Sequence, residues 1–251
     1  MKIRFTIITI VKNDKRGILK TIKSVLTQTF KNFEYIIIDG NSTDGTLSKI
    51  KKIRYNKKFK LFSRSDISYY DSLNYAIKKS KGEFIGVLNS GDNYVNKNIL
   101  NIINQNISQD TEIFYNNLVF IKNYKIVRFW KHKITKITKY NLFKIPHSTL
   151  FLNKKIYKKV GLYNLKYKIS SDLDFIIRLN KNYNKIKHLN FNSINMEYGG
   201  LSTNLSNLKL KLLEDFSILF NYHKFFFIIF YLLKIYFKFN DFRLKNLIKA
   251  D

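Results

Sequence analysis

The sequence predicts an α/β fold, with a mostly parallel central sheet covered by helices on both faces. Three observations predict it. Short β-branched runs alternate with segments of helical periodicity. The runs are apolar at successive positions, as strands buried on both faces require. A polar loop with an acidic residue follows three of them, and open α/β sheets bind ligands beyond the carboxyl ends of their strands.

The first strand is expected at Phe5 to Val11 (FTIITIV), followed by a polar loop at Lys12 to Arg16. Ile18, Ile22, Val25 and Leu26 then share one helix face. Glu34 to Ile38 (EYIII) is a second strand ending at Asp39, Thr46 to Ile53 a short helix, and Phe59 to Phe62 a third strand. Tyr69, Leu73 and Ile77 mark another helix, and Glu83 to Leu88 (EFIGVL) a fourth strand. The segments after the strands are Lys12-Asn13-Asp14, Asp39 to Gly45 (DGNSTDG) and Asn89-Ser90-Gly91-Asp92, so one sheet edge collects carboxylates. Further along, Glu112 to Phe120 and Lys125 to Phe129 read as strands joined by a turn near Asn123. His147 to Leu152 reads as a strand, followed by a helix with Ile156 and Val160. Leu173 to Leu179 reads as a helix with Asp172 and Asp174 in its first turn, where negative charge is favoured. Leu212, Phe216, Leu219 and Phe220 form a last amphipathic pattern.

A chain of 251 residues buries a substantial core, and one domain with an appendage is expected: 1–207 as the α/β domain and 208–251 as a C-terminal helical, membrane-associating extension. The absence of cysteine removes disulfides and thiolate metal sites and fits a reducing compartment. Met1 to Phe5 leads straight into a strand pattern, so no secretory leader is expected. The formal charge of +29 points to anionic partners. Its lysines are scattered among asparagines and isoleucines, as codon bias produces. No helix-turn-helix, RNP-like strand pair or zinc-finger spacing accompanies them, so nucleic acid is not an expected partner.

ITIVKN with SVLTQTF, YIIIDGNSTDGT, YYDSLNYAIKKSKGEFIGVLNSGD, IPHSTLFLNKKIYKKVGLYN with ISSDLDFIIRL, and GGLS occur here in one order and spacing. Together they resemble family 2 glycosyltransferases, especially colanic-acid-type and related surface-polysaccharide enzymes, over roughly residues 3 to 205. The resemblance implies a GT-A fold and transfer from a nucleotide-diphospho-sugar donor to a glycan or polyprenyl-linked acceptor. It implies that Thr9 and Asp39 contact the nucleotide, Asp39 accepting a hydrogen bond from the base. Asp66 and Asp71 flank a donor-side turn in which Ser68 replaces the family's glycine. The family's metal motif is two aspartates around one residue, and here only Asp92 matches, so a divalent cation (Mn²⁺ or Mg²⁺) has fewer protein ligands. Asp172 stands where the family places its catalytic aspartate, with Ser171 in place of a glutamate, and implies a general base for an inverting displacement. Asp174 competes for that role or contacts the acceptor, and His147 is a structural histidine or a phosphate or acceptor contact.

Plainer roles exist for the same residues. Asp44-Gly45 is an ordinary turn pair, Asp172 an ordinary helix cap worth about 1 kcal/mol, and Arg178 an ion-pair partner. Lys49 to Lys60 reads as a solvated face. A catalytically degenerate nucleotide-binding or scaffold protein is the alternative function. A processive synthase lacks its Gln-x-x-Arg-Trp motif here, and a nucleotidyltransferase its glycine-rich loop.

Phe225 to Leu233 (FFFIIFYLL) is strongly apolar but shorter than the roughly 20 residues a spanning helix needs. Lys234, Lys238, Lys245 and Lys249 fall on one helix face and Ile228, Leu232, Ile235, Phe239 and Phe242 on the other. Such a helix suits an anionic membrane surface or a homodimer contact. A peripheral place on the inner face of the cytoplasmic membrane is therefore expected.

Overall fold

The computed structural model describes residues 2–53, 59–65, 68–183, 185–198 and 205–236, with the side chains at 205, 206 and 225 excepted. Asp66, the GGLS segment and the lysines and phenylalanines after Tyr236 lie outside the described residues.

The first half forms β1 (Phe5–Val11), α1 (Gly17–Leu26), β2 (Phe33–Asp39), α2 (Thr46–Lys52), β3 (Phe59–Ser63), α3 (Tyr69–Lys79) and β4 (Phe84–Val87). These strands pair in the order β3-β2-β1-β4, all parallel, with Thr9 opposite Ile37 and Ile8 opposite Val87. The expected βαβ units are all present.

The second half continues with β5 (Asn93–Tyr94), α4 (Ile99–Asn106), β6 (Ile113–Lys122), β7 (Lys125–Trp130), β8 (Phe151–Asn153), α5 (Lys154–Val160), α6 (Ser171–Asn182), β9 (Lys187–Glu197) and α7 (Leu205–His223). β8 sits antiparallel between β4 and β6, β9 runs parallel to β6, and β5 pairs antiparallel with β9. The turn near Asn123 is a tight hairpin in which Asn123 and Tyr124 both have positive φ, 50° and 62°. That backbone matches the twist of the flanking strands. Gly86 faces Phe151 across the β4–β8 pairing, and a Cβ there would fall 2.4 Å from the ring. A larger residue would push β8 off the sheet.

Because side chains alternate along a strand, the two sheet faces bury different residues. Phe5, Ile7, Tyr35 and Ile37 pack with Ile18 and Ile22 of α1, Ile50 of α2 and Ile103 of α4. Ile8, Ile10, Ile36 and Ile38 pack with Leu73 and Ile77 of α3, Ile156 of α5, Leu173 and Ile177 of α6, and Ile218 and Leu219 of α7. Both faces are covered, which is why the strands read as unbroken apolar runs.

Three expectations need correction. His147 to Leu152 is not one strand: His147–Thr149 is a 3-10 turn, in which Thr149 N–H donates to the Pro146 carbonyl at 3.0 Å, and only Phe151–Asn153 extends. In α7, Leu212, Phe216 and Phe220 are exposed, and of the expected stripe only Leu219 is buried. The inner face instead carries Glu214 and Asp215 beside Ile218 and Leu219, because loop amides and the half-buried Lys234 there need anionic partners. Lys234 does not join a lipid-facing basic stripe. It turns inward to Asp215 at 2.5 Å.

Candidate active site

The three loops after β1, β2 and β4 meet at the carboxyl edge of the parallel strands and are tied to one another. Asn13 N–H donates to Ser42 Oγ at 2.9 Å, Thr43 N–H returns to Asn13 Oδ1 at 2.8 Å, and Lys15 N–H reaches Asp44 Oδ2 at 3.3 Å. Ser90 Oγ donates to Asp14 Oδ2 at 2.6 Å, while the other Asp14 oxygen accepts Gly17 N–H at the start of α1. Each loop reverses through a left-handed residue: Asn13 (φ 53°), Asn41 (φ 58°) and Gly91 (φ 90°). At Gly91 any side chain would strain the backbone. Asp44 accepts from both the N–H and hydroxyl of Thr46, so it serves the turn into α2.

Within this frame the expected donor residues differ in what they offer. Thr9 is fully buried, its hydroxyl donating to the Leu88 carbonyl at 2.6 Å and lying 2.9 Å from the Tyr35 hydroxyl. Its side chain pins β1 between its neighbours and faces the sheet interior. Asp39 is also fully buried. Its Oδ2 accepts from Ser42 N–H at 3.0 Å and Ser63 Oγ at 3.3 Å, while Oδ1 has no partner. A buried carboxylate oxygen left unpaired at a ligand edge is a position a hydrogen-bond donor fills. Asp71 N–H donates to the capping Ser68 Oγ at 3.2 Å in the first turn of α3, and its carboxylate pairs with Arg64 at 3.6 Å.

Asp92 is buried, and one oxygen accepts Glu197 N–H from the end of β9 at 3.1 Å. Burial pushes its carboxyl up to about 8, against the pull of that N–H, Lys20 and Asn89. Among the described residues, no three His, Asp or Glu side chains gather as a metal site. One buried carboxylate fits a hard cation only where the donor's phosphates and water complete its shell, as Mg²⁺ and Mn²⁺ permit.

The residues expected on the acceptor side, Asp172, Asp174 and His147, lie at or near the amino end of α6. Asp172 Oδ2 lies 3.3 Å from His147 Nδ1, and its side chain remains 30% exposed. Burial alone would raise the Asp172 carboxyl; the charges of His147, Lys211 and Lys234 outweigh that and hold it below its usual value. His147 Nε2 is buried without a partner. Asp174 points the other way: buried, it pairs with Arg178 Nε at 2.8 Å and accepts the Tyr222 hydroxyl at 3.1 Å. Arg178 also donates to the carbonyls of Val160 and Leu162, so this pair ties α6 to the end of α5.

Adjacent tyrosines join the two sides. The Tyr69 hydroxyl donates to Asn89 Oδ1 at 2.6 Å, and the Tyr70 hydroxyl lies 3.4 Å from Asp172 Oδ1. Sequence reading treats Tyr69 only as a helix-face marker. Its signal was the Tyr-Tyr pair at the start of a helix opening beside the sheet's carboxyl edge. Glu197 and Lys20, paired at 3.4 Å beside Asp92, carried no such signal.

A parallel half-sheet with acidic carboxyl-edge loops, extended by a mixed half bearing α6, is the GT-A type of nucleotide-sugar transferase fold. The chain belongs to glycosyl transferase family 2, whose profile matches residues 6–170. It is 28% identical over 205 residues to the Escherichia coli UDP-Glc:alpha-D-GlcNAc-diphosphoundecaprenol beta-1,3-glucosyltransferase WfaP, covering 79% of this chain and 80% of that one. An uncharacterized glycosyltransferase of Rickettsia typhi is 29% identical over 186 residues, 67% of this chain, and the match spans 56% of its own length. Among solved structures, S. aureus TarS in complex with UDP-GlcNAc superposes with a TM-score of 0.67 at 19% identity, covering 87% of this chain and 67% of that one. The mannosyltransferase PcManGT from Pyrobaculum calidifontis, in complex with GDP-Man and Mn²⁺, gives 0.59 at 12%, covering 86% and 62%.

Proposed function

We propose that this protein transfers a sugar from a nucleoside-diphosphate donor to a lipid-linked or other glycan acceptor in surface-polysaccharide synthesis, with inversion at the anomeric carbon. The observation that carries the reading is the Tyr69–Tyr70 bridge, which links the partly exposed Asp172 carboxylate to Asn89 in the loop after β4. Asp39 Oδ1 accepts from the donor's base. The acceptor hydroxyl attacks the anomeric carbon as Asp172 takes its proton, and the bond to the diphosphate breaks. Attack opposite the leaving group inverts the centre. His147, Lys211 and Lys234 keep Asp172 ionised and ready to accept that proton. Asp92 would hold Mg²⁺ or Mn²⁺, and a cation there would offset the charge that builds on the diphosphate leaving group.

The acceptor class is supported by WfaP, whose name specifies a diphosphoundecaprenol-linked acceptor. It also fits the exposed apolar face of Leu212, Phe216, Phe220, Ile229 and Leu232 on a chain of net charge +29, a surface suited to anionic lipid at the cytoplasmic face. No helix among the described residues is long and apolar enough to cross a membrane. Self-association through the same face is the competing occupant, and sedimentation with and without anionic vesicles separates the two.

The deciding experiment offers the full chain UDP-, GDP- and dTDP-sugars, with and without Mn²⁺, beside a lipid-diphosphate-linked GlcNAc acceptor. Acceptor-dependent release of nucleoside diphosphate is expected. Nucleotide binding without transfer or hydrolysis would instead favour the scaffold alternative, and failure to bind any nucleotide-sugar would overturn both.

A further inference from the structure

Helix α7 packs against the turn at the amino end of α6. Its Glu214, buried on the inner face, accepts three consecutive backbone amides: Lys168 at 2.7 Å, Ile169 at 2.9 Å and Ser170 at 2.9 Å. These residues form the turn immediately before α6, and Asp172 is the helix's second residue. On its other side the same turn is held by Tyr70, whose hydroxyl donates to the Ile169 carbonyl at 2.8 Å and accepts Asp172 N–H at 3.3 Å. The helix bearing Glu214 is itself fixed in place by the Asp215–Lys234 pair and by buried Ile218 and Leu219.

We propose that Glu214 is a positioning residue for Asp172. It touches no substrate. By gathering three amides onto one carboxylate it sets the turn from which α6 starts, and hence where the Asp172 carboxylate points. Charge-assisted bonds to backbone N–H groups are the strong kind, and small misplacements of a catalytic group cost rate steeply. The inference rests on Asp172 being the base. It also makes α7, whose outer face is the apolar surface described above, a working part of the acceptor side.

The test compares E214Q, E214D, D172N and E214Q/D172N in the full chain, by single-turnover transfer, nucleoside-diphosphate binding and thermal midpoint. E214Q is expected to lower the transfer rate about 10- to 100-fold while nucleotide Kd and donor KM stay at wild-type values. E214D, which keeps the charge on a shorter arm, recovers part of the rate. In the D172N background E214Q brings no further loss, because the group it positions is already gone. A fully active E214Q alongside an impaired D172N overturns this inference and leaves the base assignment standing. The same fractional loss with and without D172N also overturns it, as a general loosening of the fold. A fully active D172N overturns both.

Discussion

Strand β2 carries a buried carboxylate near each end. At the amino end, Glu34 accepts from Thr6 Oγ1 at 2.7 Å, from Gly82 N–H at 3.2 Å and from Lys81 N–H, and pairs with Lys60 Nζ at 2.8 Å. At the carboxyl end, Asp39 has both its donors on one oxygen and leaves the other buried and unpaired. Burial pushes against ionisation at Glu34, yet Lys60, the Lys81 amide and Thr6 together hold it below its usual 4.5. On the carboxyl edge, burial wins at Asp92 and lifts it from 3.8 to about 8. A carboxylate whose partners all come from the protein belongs to stability. One left unpaired, as Asp39 is 5 residues along the same strand, fits the ligand contact proposed for it.

That contrast breaks most readily at Glu34. Glu34→Ala leaves buried donors unpaired at the junction of β1, β2, β3 and the start of β4, and should cost about 2 to 4 kcal/mol in urea unfolding. Nucleotide affinity, measured at a temperature where the variant is folded, should be unchanged. Asp39→Asn should do the reverse. The amide still accepts from Ser42 and Ser63 but places an N–H₂ group where an acceptor is needed, so nucleoside-diphosphate affinity should fall about 10- to 100-fold by calorimetry with little loss of stability.

The smallest effect separates the two ends by pH. The lowered Glu34 contributes stability that is present above 4.5 and is lost as pH falls below it. The raised Asp92 works in the opposite sense: the unfolded chain releases its proton first, so stability falls as pH rises from 3.8 to about 8. Asp92→Asn should remove that fall. Its melting temperature should exceed the wild type's by a margin that grows from pH 4 to pH 8, at about 2–4 °C per kcal/mol relieved.

Much of the carboxyl edge was legible because it depends on chain order. Unbroken β-branched apolar runs and period-3.6 segments fix a βαβ succession, and a parallel sheet then brings the ends of β1, β2 and β4 together whatever the loops contain. The hairpin at Asn123 and the structural role of Arg178 were legible for the same local reasons. The contact of His147 with Asp172 was not, since it depends on the 3-10 turn after Pro146 and on how α6 packs. The face of α7 was misread because hydrophobic periodicity assumes an apolar interior. Here the interior needed two acids, Glu214 and Asp215, and the leucine and phenylalanine stripe turned outward. At Thr9 the strand position was readable, while the bonds of its hydroxyl to Tyr35 and Leu88 depend on which strands flank β1.

The cross-ties between the edge loops have a thermodynamic consequence. Asn13 with Ser42 and Thr43, Lys15 with Asp44, and Asp14 with Ser90 hold the mouth of the crevice in one shape. The entropy of ordering these segments is therefore met when the chain folds, not when a ligand arrives. An arriving diphosphate meets a preformed mouth, so association at this edge should show a heat-capacity change set by the ligand's own buried surface, without the larger signature of loops folding around it.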